Sequence, residues 1–417
     1  MLDIKLIQKN IDFVIEKLKS RQVDEQLLKH LSKIIKERNI LMTEQSKLSE
    51  QKNIISKELP KSNNKEELLK QANEVKKAIQ EIEIKIKNYQ DQLDNLLPTL
   101  PNLPLDQVPI GQDETNNVVI EKYENLGRGL VKKLKPHYEI AIEKNLIDFP
   151  RAANLSGSRF VFFKNKGALL VRALENFMLD FHIKNGYEEI LPPLLVNSNT
   201  LFGTGQLPKF SEDLFKINDE DLWLIPTAEV PLTNYYNNEI IDLSTPVKFC
   251  AYTPCFRSEA GSSGKDTKGL IRSRQFNKVE MVKITNQNDA LKEFELCVQD
   301  AQKILELLEI PYQKVLLCSG DLGFSSKITY DLELWLPSEQ RFREVSSISY
   351  FGDFQSRRAM IRYRNENNKT EYAHTINGSG LAIDRIIAAI LEIYQNEDGS
   401  IDIPKVLIPF FNGITKL

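Results

Sequence analysis

The sequence predicts an α+β protein in two units: an antiparallel two-helix coiled-coil arm, then a domain built on an antiparallel β-sheet flanked by helices. Three observations predict it. Residues 27–97 contain no glycine and carry an apolar repeat of period 3.5. Pro98, Pro101, Pro104 and Pro109 then crowd together as a stiff linker. Beyond them, short strand-like runs alternate with helical patterns, and no strand–GxxxxGK[ST]–helix or strand–GxGxxG–helix unit occurs.

In the arm, the tract Pro60-Lys61-Ser62-Asn63-Asn64 separates two helices. Stepping alternately by four and three from Leu68 meets Ala72, Val75, Ile79, Ile82, Ile86, Tyr89, Leu93 and Leu96. Such a seam is a coiled-coil face. The same stepping from Leu27 is apolar except at Arg38, Gln45 and Lys52. A short polar turn leaves the helices antiparallel, each about 50 Å long at 1.5 Å per residue. The arm occupies about 27–97 within an expected N-terminal unit of 1–104, leaving 105–417 as the second. A dimerising spacer fits such an arm. So does a probe for a large partner, since Lys29, Lys33, Lys36, Lys76, Lys77 and Lys85 among others could displace counterions from a phosphate backbone.

The length of 417 residues exceeds one typical domain, and the hydrophobic and charged fractions, 41% and 27%, are those of a soluble globular protein. A net charge of −3 advertises no nucleic-acid partner, so any such contact needs a local patch. The opening MLDIKLIQKNIDFVIEKLKS carries charge in every turn, unlike a signal or transit segment, and no apolar run reaches membrane-spanning length. A cytoplasmic protein without a membrane partner is expected. Cys250, Cys255, Cys297 and Cys318 are too scattered for a disulfide framework, and Cys250-x4-Cys255 without a nearby His is a poor zinc pattern. Zinc is not expected.

In the second unit, helical character at Leu169–Lys184 sits among strand-like runs at Phe160–Phe163, Lys278–Ile284, Tyr330–Leu336 and Met360–Tyr363. The densest polar constellation, Phe256–Glu280, reads as strand, glycine-rich loop, strand. At a side-chain period of two, Arg257 and Glu259 share one face, as do Phe276, Lys278 and Glu280 on the next strand. An arginine suits bidentate grip on phosphate or carboxylate, and a phenylalanine suits stacking on a purine. An exposed hairpin with ordinary ion pairs would share this composition. Arg343-Glu344-Val345-Ser346-Ser347 ends a strand-like run with hard oxygen donors of the kind Mg²⁺ takes, or with a solvated strand end. Asn377-Gly378-Ser379-Gly380 leads toward a helical run, where glycines would admit an anion to the helix N-terminus. Arg385, one turn inside that apolar run, needs an anionic partner, which a structural salt bridge could also supply.

Together these segments resemble the signature motifs of class II aminoacyl-tRNA synthetases, in the bacterial seryl form. Gly186-Tyr187-Glu188-Glu189-Ile190-Leu191-Pro192-Pro193 resembles motif 1, Phe256–Glu280 motif 2 and Gly378–Arg385 motif 3. Thr204-Gly205-Gln206-Leu207-Pro208-Lys209-Phe210, Pro226-Thr227-Ala228-Glu229 and Glu344-Val345-Ser346-Ser347 are similar to the serine-type features, and the N-terminal hairpin extends the resemblance over the whole chain.

The resemblance implies a ligase that activates serine with ATP and transfers it to serine tRNA through the arm. It extends to selenocysteine tRNA where the host has one, and to a homodimer formed through motif 1. The implied serine site is Thr227, Ala228, Glu229, Glu280, Asn377 and Ser379. The implied nucleotide site is Arg257, Ser258, Glu259, Arg272, Phe276, Glu344, Val345, Ser346, Ser347 and Arg385, with Mg²⁺ on Glu344 and Ser347 and catalysis resting on Arg257, Glu259 and Arg385. Glu344 and Ser347, three apart, cannot share a regular strand face without a bulge. The chain departs from the family at Arg274, usually His, and at Ile348, usually Cys. A ligase loading a non-tRNA carrier would lack the hairpin, and a non-catalytic coiled-coil protein would have lost the ATP residues. Neither loss is present.

Overall fold

The computed structural model describes the chain apart from Ser62, Lys133, Gly261, Ser262, Ser263, Lys265 and Thr267. Part of the arm's turn tract and most of the glycine-rich stretch within Phe256–Glu280 therefore lie outside the described residues. The chain divides into two compact units, Met1–Leu103 and Pro104–Leu417.

The first unit is helical: α1 (Ile4–Lys9), α2 (Ile11–Ser20), α3 (Glu25–Glu58) and α4 (Lys65–Leu96). Asp24 starts α3 by accepting from the amides of Gln26 and Leu27, which satisfies two of the amide groups that a helix start leaves unpaired. Its 34 residues make a rod of about 50 Å. Leu31, Ile34 and Ile55 of α3 and Val75, Ile82 and Leu93 of α4 are buried along the seam. Polar seam positions are bonded across it: Arg38 donates to Gln90 at 2.9 Å and Gln45 to Glu83 at 3.3 Å. Lys52, the third polar seam position, stays exposed. Near the base, Ile7, Val14 and Leu18 of the short helices join the buried set with Leu28 and Ile35, each such side chain contributing about 1.5–3 kcal/mol.

The second unit is organised by an eight-stranded sheet of β1 (Val118–Tyr123), β2 (Glu188–Glu189), β3 (Val247–Phe256), β4 (Gln275–Thr285), β5 (Tyr312–Leu316), β6 (Ile328–Leu336), β7 (Arg341–Gly352) and β8 (His374–Ala382). The spatial order is β1-β5-β6-β7-β8-β4-β3-β2, antiparallel throughout except for β2 beside β3. One face packs on α5 (Lys166–Lys184), α6 (Ala290–Leu307) and α7 (Ile383–Ile393). Strand β6 displays the two-residue period: Ile328, Leu332, Leu334 and Leu336 enter this core, while Thr329, Asp331 and Glu333 face the other way. That opposite face carries the site.

The pairing of β6 with β7 is interrupted where Leu332 faces Ser346 but Glu333 faces Glu344. Val345 is the extra residue, and its side chain is buried in the helical-side core. This bulge lets Glu344 and Ser347 reach one face despite their spacing.

Three local expectations are corrected. Asn377–Gly380 lies within β8, and the helix begins only at Ile383. Their glycines therefore serve close packing in the sheet, not an anion at a helix start. A Cβ on Gly378 would lie 2.9 Å from Ile348 Cγ1, and one on Gly380 2.4 Å from His182 Nε2. Strand structure in Met360–Tyr363 starts at Arg362, because Met360 closes the short helix Phe354–Ala359 with a left-handed backbone, φ 54°. In Phe160–Phe163 only Phe162 and Phe163 pair as strand, with Ile147 and Asp148. Cys250 and Cys255 are buried within β3.

Candidate active site

Strands β4, β8 and β7 lie side by side, so residues on each converge over a cavity of about 590 Å³, which Arg257 and Glu259 enter from just past the end of β3. A smaller one of about 160 Å³ shares Arg257, Glu259, Arg272, Lys278, Glu344 and Ser379 with it and continues toward Phe276 and Arg385.

At the inner end, register brings Ser379 opposite Glu280 and Asn377 opposite Val282. Thr227 Oγ1 donates to Glu280 Oε2 at 2.6 Å and accepts from Lys278 Nζ at 3.0 Å and from the Glu229 amide at 3.2 Å. Lys278 is also ion-paired to Glu280 Oε2. Glu280 is 1% exposed, and its Oε1 has no hydrogen-bond partner among the described residues. A buried acceptor in that condition costs stability until a donor reaches it. Glu229 is buried beside it. Desolvation raises its carboxyl to about 7, with the Glu280 charge adding and Gln355, Lys278 and Arg257 opposing. Two carboxylates, two hydroxyls and an amide thus surround a space that fits a small polar molecule bearing an ammonium.

At the outer end, the Arg257 guanidinium lies 5.1 Å from the Phe276 ring centroid, a cation–π pair. Glu259, at a left-handed φ of 55°, accepts from Arg272 at 2.8 Å. Arg385 donates to the Ile271 carbonyl at 3.2 Å, to the Glu344 carbonyl, and lies 3.7 Å from the Glu344 carboxylate. The anionic partner expected of an arginine in that helix is therefore Glu344. Three arginines over an open cavity make a seat for a polyanion. Glu344 and Ser347 line the same cavity and present oxygen ligands to it.

Thirteen of the sixteen site residues named from the sequence line these two cavities. The other three stand behind them. Ala228 is buried in apolar packing. Ser258 donates to the Glu212 carbonyl at 2.6 Å and holds the neighbouring loop. Ser346 donates to the Ser379 carbonyl at 2.6 Å, joining β7 to β8. Val345 lines the smaller cavity but is only 1% exposed. Sequence reasoning placed Lys278 on the right face without giving it a role. Phe210 was named only within the stretch Thr204–Phe210, without a role, and Gln355 and Phe324 were missed altogether. Gln355 meets Glu229 across 126 positions of sequence, and no local pattern signals such a contact.

The region 210–394 matches the family model described as the tRNA synthetase class II core domain (G, H, P, S and T). Residues 1–104 match the seryl-tRNA synthetase N-terminal domain. An antiparallel sheet carrying an arginine-lined cavity, with these matches, defines a class II aminoacyl-tRNA synthetase. The chain is 58% identical over 419 residues to the serine-tRNA ligase of Mycoplasma mobile, covering 99% of each. It is 54% identical to that of Metamycoplasma arthritidis, covering 100% of this chain and 99% of the relative. Among solved structures it superposes on the seryl-tRNA synthetase of Pyrococcus horikoshii complexed with ATP, with TM-score 0.89 and 37% identity over 100% of this chain and 99% of the other. The chain belongs to the serine-tRNA ligase family: it is an ATP-dependent aminoacyl-tRNA ligase whose partners are serine and tRNA. Among the described residues no helix is long and apolar enough to cross a membrane.

Proposed function

We propose that the inner end of the cavity holds serine and the outer end holds ATP, in the roles the motifs assign. The observation that carries this is the buried, unpartnered Oε1 of Glu280 beside Glu229, a pair of acceptors of which Glu229 would take the serine ammonium and Glu280 the hydroxyl. Thr227, Asn377 and Ser379 complete that end. An analogue without the hydroxyl would leave a buried acceptor unpaired, which discriminates strongly.

The serine carboxylate attacks the α-phosphorus of ATP, the bond to the bridging oxygen breaks, and pyrophosphate leaves with that electron pair. The ribose hydroxyl at the tRNA 3′ end then attacks the carbonyl carbon of the adenylate, expelling AMP and losing its proton. No protein nucleophile takes part. Arg257 bridges the carboxylate and the α-phosphate, Phe276 stacks on adenine, and Arg272 and Arg385 hold the outer phosphates. Glu259 keeps Arg272 in place. Catalysis is positioning and charge neutralisation.

Glu344 and Ser347 fit Mg²⁺, since the Val345 bulge turns both oxygen-bearing side chains into the cavity where phosphates would lie. When bound, the ion would neutralise phosphate charge. The unit 1–104 presents the arm to tRNA, and 105–417 is the catalytic domain. The exposed Leu191, 90% accessible beside the edge strand β2, supports a homodimer through Gly186–Pro193. Charging of selenocysteine tRNA and a cytoplasmic location complete the reading.

Glu280→Gln tests it. Serine-dependent exchange of pyrophosphate into ATP is expected to fall at least 100-fold, with ATP binding retained, about the loss of a charged buried hydrogen bond. Unchanged exchange would remove Glu280 from the serine site.

A further inference from the structure

The short helix Phe354–Ala359 contributes no residue to the roles above, yet one of its side chains touches both the floor and the rim of the serine end. Gln355 is fully buried. Its Nε2 donates to Glu229 Oε1 at 2.7 Å and to the Thr204 carbonyl at 3.3 Å, and its Oε1 accepts from Thr375 Oγ1 at 2.6 Å. Both amide hydrogens are thereby committed: the Glu229 carboxylate and the Thr204 carbonyl, which accept, set the amide orientation, and the Thr375 hydroxyl, itself buried on β8, donates to the remaining Oε1. The Thr204 carbonyl also accepts from Ser325 Oγ at 3.0 Å. Thr204 begins the stretch Thr204–Phe210 that walls the cavity. One turn along the same helix, Arg358 lies 4.7 Å from the Phe202 ring centroid and 5.5 Å from that of Phe324, with Phe202 and Leu207 carbonyls at 3.4 Å from its Nη1.

Resting on the reading that Glu229 receives the serine ammonium, we propose that Gln355 is a positioning residue for amino-acid capture: it fixes one oxygen of Glu229 so that the other faces the substrate, and ties that carboxylate to the Thr204–Phe210 wall. The charged groups facing Glu229 are Glu280 and Lys278 from β4 and Arg257 from the end of β3. Glu280 opposes ionisation of Glu229, and the two cations favour it. The Gln355 amide favours it as well, by donating to the charged form.

The test is Gln355→Met in the full-length enzyme, which keeps the volume and removes the amide. Serine and ATP are titrated in pyrophosphate exchange between pH 6 and 8.5. The KM for serine is expected to rise about 10- to 100-fold, the size of one hydrogen bond to a charged group, with the KM for ATP within about twofold. The pH at which serine KM falls should move upward. Thr375→Val, which leaves the amide Oε1 without its donor and so loosens the Gln355 side chain, should shift serine KM in the same direction by a smaller factor, and it decides the matter if Gln355→Met fails to fold. An unchanged serine KM in the folded variant would overturn the inference, as would parallel losses for serine and ATP with the pH midpoint in place. Glu229→Gln separates this from the underlying reading. Loss of serine affinity there, with none in Gln355→Met, sinks the role of Gln355 alone. Retention of serine affinity in Glu229→Gln overturns both.

Discussion

Serine capture should depend on pH through Glu229. Its carboxyl is raised to about 7 because burial removes water and the Glu280 charge lies beside it. An ammonium is held by the ionised form, so with a midpoint near 7 only about one site in eleven is competent at pH 6, against about ten in eleven at pH 8. The KM for serine is therefore expected to be about tenfold lower at pH 8 than at pH 6, while serine keeps its ammonium throughout. Pyrophosphate exchange with saturating ATP measures it, and Glu229→Gln should flatten the profile at low affinity. The stability of the substrate-free protein carries the opposite sign. A carboxyl whose folded value is raised favours folding fully below its unfolded value of about 4.5, and this contribution is lost as pH rises through about 7. Glu229→Gln should thus stabilise the substrate-free enzyme at pH 8 by about 3 kcal/mol at most, seen in denaturant unfolding. A flat serine KM between pH 6 and 8 in the unmodified enzyme would refute the assignment of the ammonium to Glu229.

Arg257→Met should lower kcat/KM for exchange by about 100- to 1,000-fold, the usual loss for one donor to developing charge. Because Arg257 is exposed, thermal unfolding should hardly move. Deleting residues 30–95 should abolish tRNA charging while serine-dependent exchange persists; charging that survived would return the arm to a spacer. Gly380→Ala should destabilise the second unit by about 1–3 kcal/mol in thermal unfolding, since its Cβ would fall 2.4 Å from the His182 ring in a packed layer.

Much of the site was legible because catalytic residue types cluster in short segments. Phe276, Lys278 and Glu280 alternate along β4, where period two alone puts them on one face; the strand face expected for Arg257 and Glu259 is corrected, because β3 ends at Phe256 and the left-handed Glu259 breaks the extended period. The arm was legible for a similar reason, since its seam depends only on helical spacing, and every apolar seam position is at least partly buried. Asn377–Gly380 was misread because glycines before an apolar run look alike whether they admit a ligand or a neighbouring side chain. Only Ile348 and His182, brought close by the sheet and by α5, show which it is.

By itself the sequence determined the two units, the adenylate-forming class and most of the polar side chains at the cavity, because these follow from local period and from motif chemistry. Tertiary structure decided what depends on neighbours distant in the chain. The bulge at Val345 is a property of the β6–β7 register, and it brings Glu344 and Ser347 to one face of the sheet. The company of the buried Glu229 comes from three separate segments, those of Arg257, of Lys278 and Glu280, and of Gln355, and desolvation with a facing charge, absent from any local pattern, brings its titration into the neutral range.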